Sequence, residues 1–107
     1  MSADDRYEIV ATATFENQAR EIMWYLFEVG GSLKPAESFL EEFEQAKEQL
    51  ARFPYMGRTA RSAALSRRGY RVLALKNHVI VYIVDDARRR VMLYGVFHQR
   101  REYEALL

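Results

Sequence analysis

Apolar positions in this chain follow two periods, and the change from one to the other divides it. Residues 7–13 alternate loosely and hold Ile9, Val10 and Thr12, a pattern that predicts a first strand. Thr14 then offers an N-cap, with Glu16 in the first turn of a helix whose apolar stripe runs Phe15, Ala19, Ile22, Leu26, Val29. Gly30-Gly31 stops that helix. A second helix starts within residues 32–35, where Pro35 is tolerated because first-turn amides have no internal partner. Its stripe is Ala36, Phe39, Leu40, Phe43, Ala46, Leu50 and Phe53, and Glu37, Glu41, Glu42, Glu44 and Glu48 form the solvated face. Pro54 ends it, and the short link makes the two helices an antiparallel hairpin.

From residue 54 the period shifts to two. After a loop over 54–69, with a helical turn at its centre, come three strand-like runs at 70–76, 78–84 and 91–98. Lys76-Asn77 is a tight connection and DDARRR a longer polar one. Residues 99–107 read as a short C-terminal helix. The prediction is one α+β domain over 1–107: an N-terminal strand, an α-helical hairpin, a three-stranded antiparallel meander and a short closing helix. The hairpin covers one face of a four-stranded, mainly antiparallel sheet, and the place of the first strand is left open.

Composition narrows the setting. With 107 residues, half of them hydrophobic, the chain can bury one core without staples. The absence of cysteine excludes disulfides and thiolate metal sites. The acidic N-terminal stretch is no secretory signal, and no run approaches the ~20 apolar residues that span a membrane, so a cytoplasmic protein with no membrane partner is expected. The net charge of +1 conceals a division. Residues 1–53 hold 5 Lys/Arg against 11 Asp/Glu, a balance of −6, and residues 54–107 hold 11 against 4, a balance of +7. A basic half suits a polyanionic partner, nucleic acid or an acidic protein segment; it also suits two halves that neutralise each other in one fold.

Three groups of residues carry candidate chemistry. A two-residue turn at Lys76-Asn77 sets Arg71 opposite Tyr82, with Cβ atoms within about 5.5 Å. A guanidinium beside a phenol favours phenolate and offers a forked donor to phosphate, or else the two form a structural cross-strand pair. At the end of the last strand comes His98, a residue type suited to proton transfer, followed by Arg100 and Arg101, a set fit for work at a phosphodiester or for a solvated terminus. Arg58, Arg61, Arg67 and Arg68 lie within eleven residues free of acids and make phosphate-contact candidates, with Tyr55, Tyr70 and Tyr103 able to stack on bases. No acid occurs from Gly57 to Val84 and no His/Asp/Glu set has metal-ligand spacing, which argues against a metal-dependent nuclease and predicts neither metal nor cofactor.

The ordered run L50-A-R-F-P-Y-M-G-R58, R68-G-Y-R71, N77-H-V-I-V-Y82-I-V-D85 and V96-F-H98-Q-R-R101 resembles the RelE/ParE superfamily of plasmid-stabilisation toxins. The resemblance spans nearly the whole chain. It implies a small growth-inhibiting toxin of a type II toxin–antitoxin system, neutralised by a cognate antitoxin that wraps its surface. One branch of the superfamily cuts mRNA on the ribosome without metal; the other inhibits DNA gyrase and carries no nuclease site. The chain lacks both the glutamate base and the lysine-rich set of two RNA-cutting variants.

The expected action is metal-independent, ribosome-dependent mRNA cleavage, with gyrase inhibition as the alternative. The nuclease reading assigns Arg71, Tyr82, His98 and Arg101 to catalysis and Arg58, Arg61, Arg67, Arg68, Arg100 and Tyr103 to RNA contacts. In that route a 2′-OH attacks its own 3′-phosphate. Arg71 holds the phosphate, and His98 and Tyr82 move protons in an order the residues leave open. Geometry adds a condition. A four-residue loop between the last two strands pairs Asp85 with Arg90 and Tyr82 with Leu93, and His98 then lies on the opposite sheet face from Tyr82 unless a bulge intervenes.

Overall fold

A computed structural model describes residues 5–101. The element order is β1 (Glu8–Ala11), α1 (Ala13–Gly30), α2 (Lys34–Arg52), β2 (Arg58–Thr59), α3 (Ala63–Arg67), β3 (Tyr70–Ala74), β4 (His78–Asp85) and β5 (Arg90–His98). The sheet order is β1-β5-β4-β3-β2, with β1 parallel to β5 and the remaining pairs antiparallel. The expected α+β architecture is present. The first strand, whose place the sequence left open, lies on the far edge beside β5, and one feature differs: the stretch expected as loop contributes a fifth strand, β2. Gln99 to Arg101 form a turn and a bend; the rest of the expected closing helix, Tyr103 included, lies outside the described residues.

The N-cap of α1 is Thr12 rather than Thr14, for a reason beyond helix propensity. Its hydroxyl accepts from Phe15 N at 3.2 Å and donates to Leu93 O at 3.0 Å. It therefore caps the helix and ends the β1–β5 pairing together. Gly31 closes α1 in the left-handed region at φ 66, which glycine adopts without strain. Phe15 and Ala19 of α1 and Phe39, Ala46 and Leu50 of α2 are buried against Ile80, Tyr82, Val91, Leu93 and Val96 of the sheet. Of the predicted stripes, Phe15 to Leu26 and Phe39, Phe43, Ala46 and Leu50 pack on the core, whereas Leu40 and Phe53 are exposed at the edge of theirs. Val29 and Leu33 stand in solvent, because the hairpin tip reaches past the core.

Along β4 and β5 the four-residue loop gives the expected pairs Asp85↔Arg90 and Tyr82↔Leu93. Beyond them the register shifts, and Val81 meets Gly95. Tyr94 is the extra residue of this bulge. The shift restores Val96 to the helix-covered face opposite Ile80 and brings His98 opposite His78, on the same face as Tyr82. Past Leu93, β1 no longer covers the edge of β5, and Gln18 of α1 takes its place: its carboxamide oxygen accepts from Val96 N at 2.9 Å. The other face carries a smaller cluster of Val72, Val79, Val81 and Phe97.

Gln18→Ala removes the acceptor of a buried amide beside the bulge. It should lower the unfolding free energy by about 1–3 kcal/mol in urea titration and speed exchange of the Val96 amide. Unchanged stability and exchange would show that this amide does not depend on α1.

Candidate functional site

The turn after α2 is built around one buried hydroxyl. Pro54 stops the helix, and the chain turns back with Met56 N donating to Phe53 O at 3.1 Å. Gly57 then comes against the sheet. Its N–H donates to the hydroxyl of Tyr82 at 2.9 Å. A Cβ here would lie 2.6 Å from Val72 O and 2.7 Å from the Tyr82 hydroxyl, so only glycine allows the approach. Arg71, paired with Tyr82 as expected, completes the arrangement. Its Nη2 donates to Tyr55 O at 3.0 Å and to Gly57 O, its guanidinium lies 5.1 Å from the Tyr55 ring centroid, and its Nε is buried without an acceptor. Tyr82 is fully buried. Both residues read as phosphate chemistry are therefore built into the framework that carries β2.

Asp86 ties down the same end of the sheet. It accepts from the Tyr7 hydroxyl at 2.5 Å and from the Tyr55 hydroxyl. Those bonds hold the Asp86 carboxyl below its usual range and push the Tyr55 phenol up to about 12, chiefly because the phenol donates to a carboxylate. Nothing in the sequence marked Tyr7 or Asp86 for this contact: Tyr7 is 79 residues from Asp86 and Tyr55 is 31.

The other end of β4 and β5 holds a different group. His78 and His98 face each other across the strands, with ring centroids 5.5 Å apart. His78 is buried and meets the Phe39 ring edge-on at 5.0 Å. Burial, and secondarily the His98 charge, hold its pKa below the usual histidine value, against an opposing pull from Glu42. His98 is exposed. Its Nδ1 accepts from Arg100 N at 3.2 Å, which places the proton of the neutral ring on Nε2. His78, His98 and Arg101 line a groove of about 650 Å³ against Ile22 and Tyr25 of α1. His78 opens the strand-like run at 78–84, and only the bulge gives it this partner.

The four catalytic candidates thus fall into two groups. Tyr82, with Arg71 opposite, lies four residues along β4 from His78, about 13 Å at strand rise. The structure brings Arg71 to Tyr82 and His98 to Arg101, but does not bring the pairs together. Arg58 pairs in β2 and bonds Thr59 O at 3.0 Å. Arg61, Arg67 and Arg68 are exposed around α3, and Arg100 is exposed after β5. Among the described residues no cluster of three or more His, Asp or Glu side chains is placed to hold a metal ion.

The fold is similar to two solved toxin–antitoxin systems. One is the RelBE2 toxin–antitoxin complex of Mycobacterium tuberculosis, with TM-score 0.62 and 18% identity over 88% of this chain and 99% of that one. The other is the chromosomal ParDE system of P. aeruginosa, with TM-score 0.69 and 12% identity over 88% and 97%. No curated protein sequence matches the chain. A family model described as the ParE toxin of the type II toxin–antitoxin system parDE matches residues 9–103, and the chain belongs to that family.

Two measurements test the site. Tyr82→Phe leaves the Gly57 N–H buried without an acceptor and should cost about 1–3 kcal/mol in urea titration, with Gly57→Ala costing more because backbone must move; wild-type stability in Tyr82→Phe would remove the hydroxyl from the framework. The depressed pKa of His78 means that the unfolded chain binds its proton first. Its stabilising contribution is present above the ordinary histidine value near 6.5 and is lost as pH falls through the lower folded value. Thermal stability should fall below about pH 6.5 and fall less steeply in His78→Phe; equal slopes would contradict the assignment.

Proposed function

We propose that this toxin acts by binding a protein, DNA gyrase, rather than by cutting RNA. The observation that carries the reading is the commitment of Arg71 and Tyr82 to the turn at Gly57. A metal-free ribonuclease needs a phosphate clamp and a proton-transfer group at one scissile bond. Here the strongest clamp candidate donates to backbone carbonyls, its partner phenol is buried, and the accessible histidine lies about 13 Å away along the strand. The target follows from the RelE/ParE resemblance, whose non-nuclease branch inhibits gyrase. A cognate antitoxin is the second partner. The +7 balance of residues 54–107 supports an acidic or amphipathic segment laid over that half, and one of the similar structures is itself a toxin–antitoxin complex.

One observation favours a second reading, ribosome-dependent mRNA cleavage: His98, His78 and Arg101 share a groove. There the 2′-OH would lose its proton to one imidazole as its oxygen attacks the adjacent phosphate, and the 5′-oxygen would leave with a proton from the other. Arg101 would steady the phosphate charge.

Purified protein is added in parallel to a gyrase supercoiling assay and a translation reaction. The gyrase reading predicts lost supercoiling with intact mRNA, and inhibition unchanged within about twofold in His98→Ala and Arg101→Ala. Cleaved mRNA, with each of these variants at least about a hundredfold slower, would overturn it and establish the second reading.

A further inference from the structure

The hairpin tip leaves a surface that neither the core nor the site uses. Trp24 is 62% exposed and Phe27 38%, although they are in ring contact with each other at 5.8 Å. With Met23 of α1, Leu33 just before α2 and Ala36 of α2 they border an apolar groove of about 720 Å³. Large apolar side chains grouped in this way mark an interaction surface. The charges beside them indicate the partner. Arg20 lies one turn before Trp24 and Glu28 one turn after it, on the same stripe, each about 6 Å along the axis. Arg20 bonds only the nearby Asn17 side chain, and among the described residues neither it nor Glu28 forms an ion pair.

We infer that this face binds a second copy of the chain, as a two-fold dimer in which two α1 helices cross antiparallel at Trp24. In such a pair residue i of one helix lies level with residue 48 − i of the other. Trp24 then meets Trp24, Arg20 meets Glu28, and Glu28 meets Arg20. The symmetry creates both ion pairs from one stripe. Each Trp24 ring stands over the Met23–Phe27–Leu33 groove of the other copy, an apolar centre rimmed by charge. Antiparallel helices at 8–10 Å leave room for these side chains to interdigitate. Trp and Arg are also the residue types on which interface affinity concentrates.

The chain has one tryptophan, so its fluorescence reports this surface alone. Sedimentation equilibrium and Trp24 emission are measured over a dilution series of the purified protein. Wild type should show a dimer that dissociates on dilution, with emission shifting to the red as it does so. Arg20→Glu and Glu28→Arg, both at exposed positions, should each weaken the dimer at least about tenfold by setting like charges together twice. The double variant Arg20→Glu/Glu28→Arg should restore it. Three results overturn the inference: a monomer up to about 100 μM, single reversals that leave dimerisation unchanged, or a double variant no better than the singles. A monomer whose Trp24 emission shifts only with antitoxin would assign the surface to that partner instead.

Discussion

The hydrogen bond from Gly57 N–H to the buried Tyr82 hydroxyl is the contact on which the basic half of the molecule depends. Without it the chain after Pro54 has no reason to return to the sheet. With it, Gly57 seats against Val72, Arg58 and Thr59 pair with β3, and α3 packs beside that strand. Arg71 closes the turn from the other side by donating to the Tyr55 and Gly57 carbonyls. The constraint is steric as well as polar, since no side chain larger than hydrogen fits at Gly57. A buried hydroxyl that accepts a backbone amide is costly to leave half-satisfied, so each member of the group keeps the others in place.

This framework explains how one set of residues can suggest two functions. Arg, Tyr and Gly at these spacings have the residue types of a phosphate site, and the same types make a turn clamp. The difference lies in which atoms are already occupied. Both carbonyls of the turn accept from Arg71, and the phenol oxygen accepts a hydrogen bond from the Gly57 N–H, so neither group is free for a scissile bond. The accessible titratable residues gather at the other end of the strands, where His98 meets His78.

Much of the fold was legible in the order of periods. The helical stripes, the tight Lys76-Asn77 turn and the pairs Arg71↔Tyr82 and Tyr82↔Leu93 follow from spacing alone. The bulge at Tyr94 was not. It adds one residue without altering the apolar pattern enough to announce itself, yet it moves His98 to the face of Tyr82 and gives His78 its partner. The edge position of β1 also could not be read, because a parallel pairing 82 residues apart in sequence leaves no local trace. The same holds for Asp86, whose two phenolic partners come from distant segments. Residue types in the candidate site were legible; their employment by Gly57 and the backbone was not, because hydrogen-bond partners that arise only on folding have no sequence period.

The central claim is that growth inhibition proceeds without RNA cleavage. It is tested most directly by inducing the protein in cells and measuring, in one culture, the superhelical state of a reporter plasmid and the ends of its mRNA. The account predicts relaxed plasmid and mRNA ends like those of uninduced cells. New mRNA ends carrying 2′,3′-cyclic phosphates, with plasmid supercoiling intact, would contradict it.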